Sequence, residues 1–192
     1  MVYGQQAENS CGIASVMMVN FKMKKWQLAA SLSTAPAGIA ALPAIGFSAA
    51  SAIKLEPQVY AAYATVTGEP YDGTTYTDGF KLVDILNELG IGTWKIEHYP
   101  DIGLAGKLMA FVGSPAAPAP AIVHIKWRNK GAHFIVCDTI TPSGGQSIAD
   151  FCDPGDGTVQ TLALTRGSPI VYTSGSGSVG DPSGWVLYRS GP

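Results

Sequence analysis

Asn9-Ser10-Cys11-Gly12-Ile13-Ala14-Ser15-Val16-Met17-Met18-Val19-Asn20-Phe21 carries the pattern on which the fold turns. Asn9 or Ser10 can cap a helix, and the run that follows, to about Lys25, leaves almost no polar face. A helix of that kind is enclosed on most sides, so it is expected at the centre of a core. Lys22, Lys24 and Lys25 gather at its C-terminal end, where cations suit the helix dipole.

Beyond it the chain changes character twice. Residues 26 to 70 are Ala-rich, and Pro36, Pro43 and Pro57 are expected to divide them into short helices, with Gln58 to Ala64 the most helical piece. Thr77 or Asp78 can then cap a helix that runs through Leu89 and stops at Gly90, with Phe80, Val83 and Leu86 on its apolar stripe. From Gly92 onward the signals are those of strands: Thr93 to Glu97, Ala121 to Trp127, Ala132 to Ile140, Ile148 to Cys152, Val159 to Leu164 and Trp185 to Tyr188. Ser174 to Gly180 reads as a loop before the last of them. Helices first and antiparallel strands second predict an α+β fold, one domain over 1–192 with a helical lobe at 1–91 and a β lobe at 92–192.

Composition narrows the function classes. Of 192 residues 46% are hydrophobic and 14% charged, which is too apolar for disorder, and 23 Gly with 13 Pro argue against long helices throughout. The net charge is -2 and Lys24-Lys25 is the longest basic run, so no nucleic-acid partner is expected. Residues 26 to 53 lack charge, yet Pro36, Pro43 and weak apolarity speak against a membrane span. Met1-Val2-Tyr3-Gly4-Gln5-Gln6 has no features of a secretory signal, which suggests a cytoplasmic protein or export by another route. Three cysteines without a CxxC pair predict neither a disulfide scaffold nor a metal site, and no cofactor is implied.

Chemistry is expected at Cys11. In the first turn of a buried helix, unpaired amide N–H groups and the helix dipole favour the thiolate, the nucleophilic form. His133 opens the strand Phe134-Ile135-Val136-Cys137 and is the candidate base; His98 and His124 are the alternatives. A base needs a third group to hold its other nitrogen. A hairpin turning around Ser143-Gly144 would place Asp153 opposite His133 on one face, whereas Asp138 would lie on the other face and Asp150 too far along. The same register puts Cys137 near Ala149 and turns Cys152 to the opposite face, so both read as core thiols.

These residues bear a family resemblance. Gln5-Gln6-Ala7-Glu8-Asn9-Ser10-Cys11-Gly12-Ile13-Ala14-Ser15 resembles the active-site segment of papain-like cysteine peptidases, in particular the branch holding the bacterial double-glycine leader peptidases. Ala132-His133-Phe134-Ile135-Val136 and Asp153-Pro154 are similar to that branch's later motifs. The resemblance implies a papain-like fold and peptide hydrolysis on a protein or peptide substrate. In it Cys11 is the nucleophile, His133 the base, Asp153 the orienting group and Gln5 the oxyanion-hole residue, with Gln6 as the neighbour that could replace Gln5. The same set of residues also suits a transglutaminase-like acyl transfer, and a peptide-binding module without catalysis is the reading from a different class.

Overall fold

The computed structural model describes residues 2–5, 7, 9–33, 49–113, 119–144 and 146–191. Among them the chain forms four helices, α1 (Cys11–Ser33), α2 (Ala49–Thr67), α3 (Gly79–Glu88) and α4 (Asp101–Phe111). Its strands are β1 (Thr93–His98), β2 (Ala121–Trp127), β3 (Ala132–Ser143), β4 (Gln146–Asp153), β5 (Thr158–Leu164), β6 (Tyr172–Thr173) and β7 (Val179–Gly191). The fold class is α+β. One antiparallel sheet runs in the order β1-β7-β2-β3-β4-β5, with β6 paired to β7.

Strand alternation divides the apolar residues between two layers. On one side Ile13, Val16 and Val19 of α1 and Leu82 and Leu86 of α3 pack with Trp94, Ile122, Val136 and Leu187 of the sheet. On the other, Leu104, Ala105 and Leu108 of α4 pack with Val123, Ile125, Ile135, Phe151 and Val186. Each side chain of this size stabilises by about 1.5–3 kcal/mol on full burial. α1 is held to β3 at two levels as well: Ser15 Oγ donates to Phe134 O at 3.3 Å, and Lys22 Nζ pairs with Asp138 Oδ1 at 2.8 Å.

Several elements differ from the sequence expectation. α1 continues past Lys25, so its lysines do not mark the helix end, and Lys22 instead neutralises a carboxylate on the sheet. Pro57 lies inside α2 and does not divide it. Val59, Ala62 and Tyr63 follow at helical spacing and are all buried, and that packing outweighs the lost backbone hydrogen bond, a cost of about 3 kcal/mol. Pro36 and Pro43 fall outside the described residues. Asp78 does cap α3, its Oδ1 accepting from Lys81 N–H at 2.9 Å, but Phe80 leaves the apolar stripe and is 61% exposed. α4 interrupts the strand half; Gly103 and Gly106 within it dilute the helical signal that Leu104 and Leu108 carry.

β7 is far longer than Trp185 to Tyr188 because Gly180, Pro182 and Gly184 hide its strand pattern. The pairing Val123↔Val186 and then Ile125↔Pro182 leaves extra residues on β7 opposite His124, a β-bulge. Gly184 within it has φ +92°, and an added Cβ would stand 2.5 Å from Tyr99 O. Gly184→Ala is therefore expected to cost about 1–3 kcal/mol from backbone strain alone. A thermal melt should show the midpoint falling by several degrees.

Candidate active site

Ser10 sits at the entrance of α1, where its carbonyl accepts from Ala14 N–H at 2.9 Å, but its hydroxyl turns back to Ala7 O at 2.8 Å. Asn9 reaches away, its Nδ2 donating to Thr74 O at 2.6 Å. Both ties fix the backbone just before the helix, and Cys11 emerges half-buried in its first turn. There the backbone N–H groups have no intrahelical acceptor.

The N-terminus of α1 stands over the ends of β2, β3 and β4, and His133 rises from the start of β3. Its Nε2 is 2.6 Å from Asp153 Oδ1, and the Cys11 thiol, which lines the same cleft, lies close enough to raise its pKa. Trp127 lies along the ring, with centroids 5.5 Å apart and planes 25° apart. Of the three histidines this one alone joins a thiol and a carboxylate. His124 instead bonds Ser183 Oγ through Nδ1 at 2.7 Å, and the exposed His98 meets Ser183 O at 3.1 Å.

Asp153 is 1% exposed and fully supplied with donors. Oδ1 also accepts from Gly155 N–H at 2.7 Å, and Oδ2 accepts from the buried Tyr172 hydroxyl at 2.7 Å. The route to this contact differs from the expected register. Ser143 pairs with Gln146 and, after a bulge at Asp138, Val136 pairs with Cys152, so Asp153 lies diagonal to His133 instead of opposite it. The offset amounts to two residues, an even number, and an even offset leaves both side chains on one face. Asp138 is taken by Lys22, and Asp150 by Thr139 and Thr161.

Electrostatics follow from this wiring. Burial works against a charged imidazole, but the hydrogen bonds to Asp153 and Cys11, with the charges behind them, outweigh it and lift the His133 pKa to about 9. Burial likewise opposes the Asp153 carboxylate, and the donors His133, Tyr172 and Gly155 hold its pKa below the ordinary range. Burial pushes the thiols of Cys137 and Cys152 up, Cys152 to about 11. All three cysteines are free; Cys137 pairs with Phe151 in the ladder and packs in one core layer, and Cys152 packs in the other.

Gln5 is tied to the loop after β4, its N–H donating to Pro154 O at 2.7 Å, and its Nε2 donates to Ala7 O at 3.1 Å. It lines the same cleft as Cys11, His133 and Asp153. Gln6 lies outside the described residues. Two arms of the cleft meet at Cys11 and His133. One is apolar, about 390 Å³, walled by Phe80, Ile96, His124, Phe134 and Trp185; the other is polar, between Gln5, Trp127, Asp156 and Ser176. Among the described residues no group of three His, Cys, Asp or Glu side chains is placed to hold a metal ion.

Sequence reasoning missed Tyr172 and Trp127. β6 is two residues long, and a lone Tyr in so short a strand carries no pattern that ties it to Asp153. Compared with protein-family models and with curated proteins, the chain matches none.

Two outcomes are expected. Raising the folded pKa of His133 from about 6.5 to about 9 means that its contribution to stability is complete below pH 6.5 and is lost as pH rises through 9. Denaturant titrations should show stability falling across that window, with a weaker slope in Asp153→Asn. Tyr172→Phe leaves Asp153 Oδ2 short of a donor and should cost about 1–3 kcal/mol in the same assay.

Proposed function

We propose that the protein is a papain-like cysteine peptidase in which Cys11, His133 and Asp153 act together. The observation that supports this most is His133 held between the Cys11 thiol and the buried Asp153 carboxylate, at the open end of a helix dipole. The Cys11 thiolate attacks a peptide carbonyl, and the oxyanion is met by the Cys11 backbone N–H and a side-chain N–H of Gln5, at about 3 kcal/mol per donor in comparable sites. The C–N bond then breaks, His133 gives its proton to the leaving amine, and a thioester remains on Cys11. His133 next takes a proton from water, whose oxygen attacks the thioester, releasing the acid and restoring the thiolate pair. Asp153 keeps the ring oriented and supports its positive charge, with Tyr172 and Gly155 fixing the carboxylate.

In iodoacetamide labelling across pH, read by peptide mass spectrometry, Cys11 should react fast below pH 7, and Cys137 and Cys152 should stay unlabelled in the native protein. Peptide hydrolysis should fall at least about 1,000-fold in Cys11→Ala. Its rate should decline above about pH 9 as His133 loses its proton, and in Asp153→Asn that decline should move to lower pH. Cys11 labelling that rises only near pH 8.5, without hydrolysis, would sink the proposal. Capture of an added amine in place of water would assign acyl transfer to the same residues.

A further inference from the structure

We infer that the apolar arm is a subsite for an aromatic side chain of the substrate, tyrosine above all, packed against the wall that Phe80 and Trp185 form, with its hydroxyl on the His124 ring. This rests on the peptidase reading and names what that site selects.

Three large aromatic residues, Tyr76 at 78% exposure, Phe80 and Trp185 at 38%, converge on this one depression beside Cys11 and His133. Apolar surface left in water at the mouth of a concavity marks a place where a ligand covers it. The volume of about 390 Å³ falls in the range of small-ligand sites, roughly 300–1,000 Å³.

The arrangement is built, and the β7 bulge builds it. By placing extra residues opposite His124 the bulge carries Trp185 out over the cleft, where it meets Phe80 edge-on at 5.9 Å and His98 at 5.1 Å. His98 Nε2 on Ser183 O and Tyr99 N–H on Gly184 O hold the bulge from the β1 side. Phe80 comes from the first turn of α3, fixed by the Asp78 cap. The edge-to-face pair of Phe80 and Trp185 thereby joins two separate elements into one aromatic wall, against which a further ring can pack.

The His124 ring gives this wall a polar atom. The His124 Nδ1 is engaged by Ser183 Oγ, no described residue bonds its Nε2, and Phe134 lies 4.9 Å away between centroids. Burial, with the nearby charges of Lys126 and His133, lowers the His124 pKa and keeps the ring neutral. A phenol both donates and accepts, so it satisfies either tautomer, which neither a phenylalanine nor an aliphatic side chain can do.

The test varies one residue of a cleavable peptide among Tyr, Phe, Leu and Ala at each position flanking the scissile bond. At one position kcat/KM should rank Tyr about threefold above Phe and about tenfold above Leu and Ala. The Tyr-to-Ala ratio should fall toward one in Phe80→Ala and in Trp185→Ala, and the Tyr-to-Phe ratio in His124→Phe. Equal rates at every position would overturn the inference and leave the peptidase reading standing. Calorimetry of the same peptides on Cys11→Ala tests the pocket without turnover: the Tyr peptide should bind about tenfold more tightly than the Ala peptide. Equal affinities would overturn the inference; selective binding without cleavage by the wild-type protein would overturn the peptidase reading alone.

Discussion

A helix with no polar face has to be surrounded, and the position of α1 constrains everything near the cleft. Its residues 12 to 20 are buried throughout, against α3 on one side and β2 and β3 on the other. A helix so enclosed cannot roll or slide without opening a cavity, at a cost of several kcal/mol for each large side chain displaced. The first turn is the part of such a helix that can face solvent while the rest is fixed. Ser15 on Phe134 O and Lys22 on Asp138 add polar ties to β3, the strand that carries His133, so thiol and imidazole are referenced to the same two elements.

Burying the His133 and Asp153 pair is a stability risk that the surroundings must answer. Desolvation of two charged groups costs several kcal/mol each, and their attraction repays it only when the remaining lone pairs are also satisfied. Here the carboxylate accepts from the imidazole, the Gly155 amide and the Tyr172 phenol. Gly155 fits because a Cβ there would stand 3.1 Å from Asp153 Oδ1 and 3.2 Å from the His133 ring. The loop after β4 thus serves two ends at once: it completes the carboxylate's donors through Gly155 and anchors Gln5 through Pro154.

What the sequence made legible was whatever repeats or caps. The apolar run after Ser10, the Asp78 cap, the strand body from Phe134 to Cys137 and the α+β order each rest on a periodicity or a local hydrogen bond, and the chain keeps them. Cys11, His133 and Asp153 meet in one cleft although the hairpin closes later than expected, because the register error was even. What could not be read depends on contacts distant in sequence. Phe80 has the spacing of a core residue, yet it faces the cleft, since the bulge brings Trp185 to its exposed side. Tyr172 reaches Asp153 through a two-residue strand, and α4 hides behind its glycines.

The difference between the two arms of the cleft follows from which elements supply them. The apolar arm is walled by the first turn of α3 and by strand positions whose neighbours belong to the helix-side core, so its lining continues that core to the surface. The polar arm is walled by the turn after β4 and by the segment between β6 and β7, where backbone without ladder partners calls for Asp and Ser side chains. Asp156 accepts from Thr158 and from Ser176 N–H, and Ser174 from Ser178 N–H, so these polar groups brace their own loops. The cleft at Cys11 therefore has an apolar wall on one side and a polar one on the other. On the peptidase reading proposed above, that asymmetry would set the direction in which a substrate lies, because an apolar group placed on the polar arm would strip water from loop groups while leaving the aromatic wall wet.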